Sequence, residues 1–360
     1  MKIFSKIPTA TGLVIILVLL SLVGLFFVFQ ASTIESFNLY GHQYYFITRQ
    51  IIWLLIGVIA FLIAYFTPIK FWLKIAPFVY LITFLALVLT LVPSIGIEVN
   101  GAKRWIDLGI TSFQPVEFFK LGLIVFFANW LKKHQRILPF IFLISLPAVI
   151  LLLQPDIGSL LVILAIAAGM FFVAGGNIKK LLPIIGFGLV LLIVAILASP
   201  YRLRRIQTFL NPEVDPLGAS FQIRQITLAL GSGGWFGLGL GNSQQKHAFI
   251  PELSSDSIFA IVAEELGFIG SCFILILFGL YFYLIYKTAI AQKKYSFEQL
   301  FTSGVLLWIA GQTVLNLGSI VALLPLTGLP LPLFSYGGSS LVSVLFASGF
   351  VYKVAKSPKK

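Results

Sequence analysis

The chain has 360 residues, 59% of them hydrophobic and 10% charged, with mean hydropathy +1.02 and a net charge of +13. A soluble domain carries about 25% charged residues, so a soluble globular enzyme is excluded. The apolar runs imply one all-α polytopic membrane domain over 1–360 rather than two or three soluble ones.

With about 20 apolar residues needed per span, ten helices are predicted. They lie near 12–30, 46–66, 71–92, 114–131, 137–153, 157–174, 181–199, 257–286, 300–322 and 339–355. The first is too long for a signal-peptide core and reads as an uncleaved span. With the N-terminus inside, the inner segments hold sixteen of the 25 basic residues, so both termini are expected in the cytoplasm. The charge is then largely a topology signal, and no basic–aromatic patch suggests nucleic acid. The other nine basic residues fall on the outer half with eleven of the twelve acids, an excess that binding of an anionic outer-leaflet substrate would explain.

Three outer segments are rich in Gly, Pro and polar residues. The first, "PSIGIEVNGAKRWIDLGITSFQPVEFFK" (93–120), carries Lys103 and Arg104 beside Trp105, then Glu117 and Lys120 three apart on one helical face. An ionisable pair within a span points to the bundle interior or a cavity; the lesser alternative is an ion pair that only pins the helix. In "QPDIGS" (154–159), Asp156 suits a helix N-cap. The second outer segment is the long loop 200–256 between the seventh and eighth helices, whose length marks it as functional. Its Arg202 and Arg205 suit bidentate phosphate recognition or lipid headgroups. Its "GSGGWFGLGLG" (231–241) matches no phosphate-binding loop and reads as close-packed or mobile backbone.

That loop ends in "AFIPELSSDSIFAIVAEELG" (248–267), where Glu252, Asp256, Glu264 and Glu265 crowd beside an apolar run. Asp256 can cap the eighth helix. At the water–membrane boundary it can also act as a general base, because poor solvation raises a carboxylate's affinity for protons. Glu264 can face the same cavity, whereas Glu265 points elsewhere. The third segment, "LLPLTGLPLPLFSYGGSS" (323–340), closes on Ser339 and Ser340, which lack the elbow of a serine hydrolase. The three histidines are scattered, so a zinc site is not expected. The single cysteine, Cys272, excludes an intramolecular disulfide.

Through "NGAKRWIDLG…QPVEFFK", "QPDIGS", "RRIQTFLNPEVDPLG", "GLGNSQQKHAFIPELSSDSIFAIVAEELGFIG" and "PLTGLPLPLFSYGGSS" the chain resembles the SEDS (shape, elongation, division and sporulation) family along its whole length. "GLGNSQQK" and "LTGLPLP" are more similar to its FtsW members than to RodA. The resemblance implies a glycosyltransferase of the bacterial cytoplasmic membrane that polymerises lipid II into glycan strands at the outer face. It implies Asp256 as the catalytic carboxylate, with Arg104, Glu117 and Lys120 in the cavity; Lys103, Arg202, Arg205, Glu252, Glu264 and Ser339 complete the candidate substrate-binding set. Val116 and Ser255 depart from the family's usual "QPSE" and "TD". The implied partners are a class B penicillin-binding protein and other divisome or elongasome membrane proteins. No cofactor is required by the pattern, and a divalent cation (Mg2+ or Mn2+) is left open. The competing reading is a lipid II flippase. Transporter sites favour the midplane and repeated broken helices, whereas here the unusual residues crowd the outer side and no repeat is visible.

Overall fold

The computed structural model describes residues 8–99, 101–109, 111–197, 199–211, 220–246 and 254–357. Each of the ten predicted spans corresponds to a helix. These are α1 (Thr9–Tyr40), α2 (Tyr45–Phe66), α3 (Ile69–Leu89), α4 (Pro115–Trp130), α5 (Ile137–Leu153), α6 (Ile157–Val173) and α7 (Ile178–Leu197), then α10 (Ile258–Ile290), α11 (Phe297–Ile320) and α12 (Gly338–Lys356). The long outer segment, expected as loop, carries two more: α8 (Pro200–Leu210) and α9 (Phe221–Ser232). Among the described residues, α1, α2, α3, α10, α11 and α12 are long and apolar enough to cross a membrane, and α5 and α6 are shorter apolar helices.

The first outer segment also holds structure the sequence reading did not anticipate. Strands β1 (Gly96–Val99), β2 (Ala102–Asp107) and β3 (Ser112–Phe113) form an antiparallel sheet in that order. Val99 pairs with Ala102, and Gly101, just before Ala102, has φ 74, a value an L side chain resists. The Asn-Gly pair is a strong hairpin signal. Its flanks are too polar to show the apolar alternation that marks a strand.

Helices α4, α6, α11 and α12 form the interior, where Phe119, Phe127, Ile163, Ile166 and Trp308 are fully buried. α2 lies against α12, α3 against α4, and α1 against α10. The α2–α12 crossing is close because Gly349 meets the Phe61 backbone and Gly57 meets Leu345; a β-carbon at either glycine would overlap its neighbour. Small residues at such crossings replace the hydrophobic drive that lipid cannot supply. The outward faces of α2, α3, α5 and α7 carry exposed residues such as Leu55, Ile59, Phe78, Ile82, Phe142 and Leu191, the pattern of a lipid-facing belt.

Candidate active site

An open chamber of about 490 Å³ lies on the predicted outer side, walled by β2, α8, α9, the turn before α10, the 321–337 segment and the start of α12. Arg104, Arg204 and Arg205 bring three cations to its wall and Asp256 brings a carboxylate. Gln114, Thr208, Gln222, Ser255, Ser339 and Ser340 add amides and hydroxyls, and Trp105 and Tyr336 add aromatic faces. Ala102, Arg104 and Trp105 of β2 all line the chamber. Lys103 is in register with Glu98 across the hairpin and does not line it.

Asp256 is partly exposed, and it is not the N-cap of α10: that position is Ser257, which makes no side-chain cap bond. The Ser257 hydroxyl donates to Asp256 Oδ1 at 3.3 Å and accepts from Gln222 Nε2 at 3.1 Å. Asn316, buried in α11, fixes the backbone below. Its Nδ2 donates both to the Asp256 carbonyl at 2.8 Å and to the Leu329 carbonyl at 2.7 Å, joining the acid's turn to the proline-rich segment. Tyr336 N closes the same junction by donating to Ser254 O at 2.8 Å. Gly328, at φ 68, passes between the charged groups. A methyl group built there would stand 3.8 Å from Arg104 Nη1 and 3.9 Å from Asp256 Oδ2.

Arg104 is held by a 2.5 Å hydrogen bond from Nη2 to Pro155 O, and its Nε lies 3.9 Å from Asp156 Oδ2. Asp156 caps α6, as its position predicts, accepting from Ser159 N at 3.0 Å and Ser159 Oγ at 2.8 Å. Arg205 donates to Leu326 O at 3.1 Å. A second, largely apolar slot of about 200 Å³ adjoins the chamber, lined by Ile157, Leu161, Ile196, Ile206, Leu315 and Leu324 among others. The two spaces share Arg104, Arg205 and Leu326. Two guanidinium groups therefore stand where a polar chamber meets a hydrocarbon-lined slot, the order of groups that suits an amphiphile with an anionic junction.

Several sequence candidates lie elsewhere. Glu117 and Lys120 pair at 2.7 Å with both side chains fully buried, and they line neither space. Lys120 Nζ also donates to Gln312 Oε1 at 2.6 Å, and Gln312 Nε2 donates to Pro330 O at 2.8 Å. The pair thus braces the chamber's proline segment from beneath. Glu264 is also absent from the chamber. It is fully buried and accepts from Ser243 Oγ and from Gln244 N at 3.1 Å. Glu265 stands 3.8 Å from Lys246 Nζ. Both acids hold the glycine-rich segment, because α10 turns away from helical geometry at Gly267 and the segment's amides reach the freed carbonyls. Ser339 does line the chamber, and its hydroxyl accepts from Gln114 N at 3.0 Å, tying the starts of α4 and α12. Glu252 and the side chain of Arg202 lie outside the described residues.

Sequence reasoning missed Gln312, Asn316, Gln222 and Tyr336. The first two had a readable signal: amides four apart on an otherwise apolar span share a face and must find partners inside the bundle. Burial pushes the Tyr336 hydroxyl up to about 12, against a smaller downward pull from Arg49. It therefore stays neutral across any working pH. No cluster of three or more His, Cys, Asp or Glu that could hold a metal ion occurs among the described residues. Asp256 is the one carboxylate at the chamber wall among them, a donor set that fits a protein-held cation poorly.

A family model described as "Cell cycle protein" and covering FtsW, RodA and SpoVE matches residues 10–360. A probable peptidoglycan glycosyltransferase FtsW of Aliivibrio salmonicida is 39% identical over 349 residues, which is 93% of this chain and 86% of the relative. Stage V sporulation protein E of Bacillus subtilis is 37% identical over 352 residues, 96% of each. Among solved structures, a chain from a peptidoglycan synthase complex that coordinates polymerization and crosslinking superposes with a TM-score of 0.77 at 31% identity, covering 96% of this chain and 97% of that one.

Proposed function

This chain belongs to the FtsW/RodA/SpoVE family, nearer in sequence to members named FtsW, and from that premise we propose how a multi-pass peptidoglycan glycosyltransferase of the bacterial inner membrane uses the chamber. The substrate is lipid II, two sugars and a peptide joined through pyrophosphate to a polyprenyl chain. Asp256 takes the proton from the 4-hydroxyl of the acceptor's N-acetylglucosamine. The oxygen attacks the anomeric carbon of the growing strand, a new C–O bond forms, and the bond to pyrophosphate breaks, releasing undecaprenyl pyrophosphate.

One observation carries this reading: a carboxylate and three arginines share one chamber, and two of those arginines also border an apolar slot. The sugars suit the polar chamber, the polyprenyl chain suits the slot, and the pyrophosphate falls between them beside Arg104 and Arg205. Fixed cations there stabilise charge that develops on the leaving group without reorganising solvent. They supply that charge from the chain itself, so no step above is routed through a metal ion.

Arg104 is held by the Pro155 carbonyl and approached by Asp156, which orients its fork. Ser257 and Asn316 hold Asp256 from two directions, and that fixed geometry is what an oriented proton transfer needs. The partner in this reading is a class B penicillin-binding protein, which crosslinks the strands made here. Its support is the likeness to a synthase complex that couples the two reactions.

The test uses purified protein, with its transpeptidase partner if required, in liposomes containing labelled lipid II. Glycan polymer and leaflet exchange are scored in one preparation for wild type and Asp256→Asn. Polymer from wild type and none from a folded Asp256→Asn supports the assignment. Normal polymer from the variant overturns the base, and leaflet exchange without polymer in either makes this a transporter.

A further inference from the structure

The glycine-rich stretch 231–241 lines neither the chamber nor the slot. α9 leaves the chamber wall at Gln222 and Ile223 and runs twelve residues, about 18 Å. The chain then turns back along α10. Leu238 N donates to Glu264 O at 2.9 Å and Gly239 N to Glu265 O at 3.0 Å, while Phe268 N donates to Gly234 O at 2.9 Å and Ile269 N to Trp235 O at 3.2 Å. Side chains at Gly233, Gly237 or Gly267 would overlap the backbone of Ala263, Glu265 or Phe236. These glycines exist to let two backbones touch.

The segment turns an apolar face outward. Trp235 is 67% exposed and Phe236 81%, with Leu238 and Leu240 exposed beside them. Residues 226–245 contain no charged side chain. Lys246, the first charge after them, turns inward to Glu265. The face is continuous with the lipid-facing side of α10. Trp235 meets Phe268 edge-on with ring centroids 5.2 Å apart, and Phe268, Ile269 and Phe273 are exposed. Lys287, at the inner end of α10, lies nineteen residues along from Phe268. At about 1.5 Å each that is roughly 29 Å, the thickness of the hydrocarbon core. Trp235 thus sits at the outer hydrocarbon boundary, where tryptophan concentrates.

We infer that residues 233–241 form a re-entrant interfacial anchor, with Trp235, Phe236, Leu238 and Leu240 seated among the acyl chains of outer-leaflet phospholipids. Backbone at that depth needs internal partners, and the four bonds to α10 supply them. The inference stands apart from the chemical assignment, and its test reads no activity.

Cys272 is replaced by Ala, and single cysteines are introduced as Arg224→Cys, Leu228→Cys and Phe236→Cys, with Leu240→Cys as a second position on the proposed face. Each full-length variant with a wild-type gel-filtration profile is labelled with bimane and reconstituted alone in phosphatidylcholine vesicles. Phospholipids brominated high on the acyl chain and aqueous iodide serve as opposing quenchers. The expected result is a gradient. Labels at 236 and 240 lose most of their emission to lipid bromine and little to iodide, the label at 224 shows the reverse, and 228 falls between. Iodide quenching at 236 and 240 without bromine quenching would place the face in water and overturn the anchor. Quenching by neither would mean protein covers the face, which also overturns it.

Discussion

Asp256 and the Glu264–Glu265 pair stand within ten residues of one another, yet they face opposite problems. Asp256 is partly exposed at a chamber wall, with three arginines around the same space. Glu264 and Glu265 are buried and spend their charge on a neighbouring segment: Glu264 on Ser243 and Gln244, Glu265 on Lys246. The difference lies in what covers each residue. Asp256 lies in the turn before α10, where α9 and the proline segment leave an opening, whereas the glutamates lie where the glycine-rich backbone presses directly against the helix. An acid beside an apolar run is therefore no signature of chemistry; accessibility to a chamber separates Asp256, the base of the proposed mechanism, from the glutamates that hold a neighbouring segment.

The sharpest way to break that contrast is to neutralise each acid. Asp256→Asn lowers polymerisation by about 10²–10⁴-fold, the loss expected for a missing general base, while its thermal unfolding profile stays that of the wild type. Glu264→Ala shows the opposite pattern. It strands the buried Ser243 hydroxyl at a cost of roughly 1–3 kcal/mol, and also removes the acceptor of the Gln244 amide. Thermal stability in detergent falls, while turnover per folded molecule changes little by comparison.

Two further substitutions sharpen the chamber side. Arg104→Ala weakens use of lipid II by roughly 10- to 150-fold, the scale of one lost charge-assisted hydrogen bond of about 1.5–3 kcal/mol, read from steady-state kinetics; unchanged constants would remove Arg104 from the substrate's path. Asn316→Leu keeps similar volume but removes both donors to the Asp256 and Leu329 carbonyls. The loss costs about 1 kcal/mol of stability per hydrogen bond, and with the turn that carries Asp256 less firmly placed, turnover is expected to slow at an unchanged KM. The smallest effect belongs to Tyr336→Phe. Its hydroxyl, pushed up to about 12 by burial, holds its proton throughout the working range. The pH–rate profile therefore keeps both limbs where they were, and a moved alkaline limb would give Tyr336 a role in proton transfer.

Legibility followed physics. Spans are written in consecutive apolar residues, and each of the ten predicted ones has its helix. The Asp156 cap was readable too, because a cap needs only neighbours in sequence. Glu117 and Lys120 were correctly paired from their spacing. Whether that pair faces a cavity or a packed interior depended on Gln312, nearly two hundred residues away, and spacing cannot report it. The outer hairpin and the two outer helices escaped notice for another reason: β2 mixes charged and apolar residues, and α8 and α9 are short and far more polar than the spans, so neither has the run of apolar residues by which a span is recognised.

The sequence by itself determined the membrane setting, the number of spans, the crowding of unusual residues on one side and Asp256 as the acid to watch, because each depends on composition or on residues close along the chain. Only the tertiary structure decided that Arg104, Arg204, Arg205 and Asp256 share one chamber, that Glu117 and Lys120 brace rather than line it, that Glu264 is spent on a segment away from it, and that a run of glycines packs against α10 and leaves its aromatics facing outward. Those outcomes turn on contacts between segments far apart in the chain, where packing and the pairing of buried polar groups decide what remains exposed.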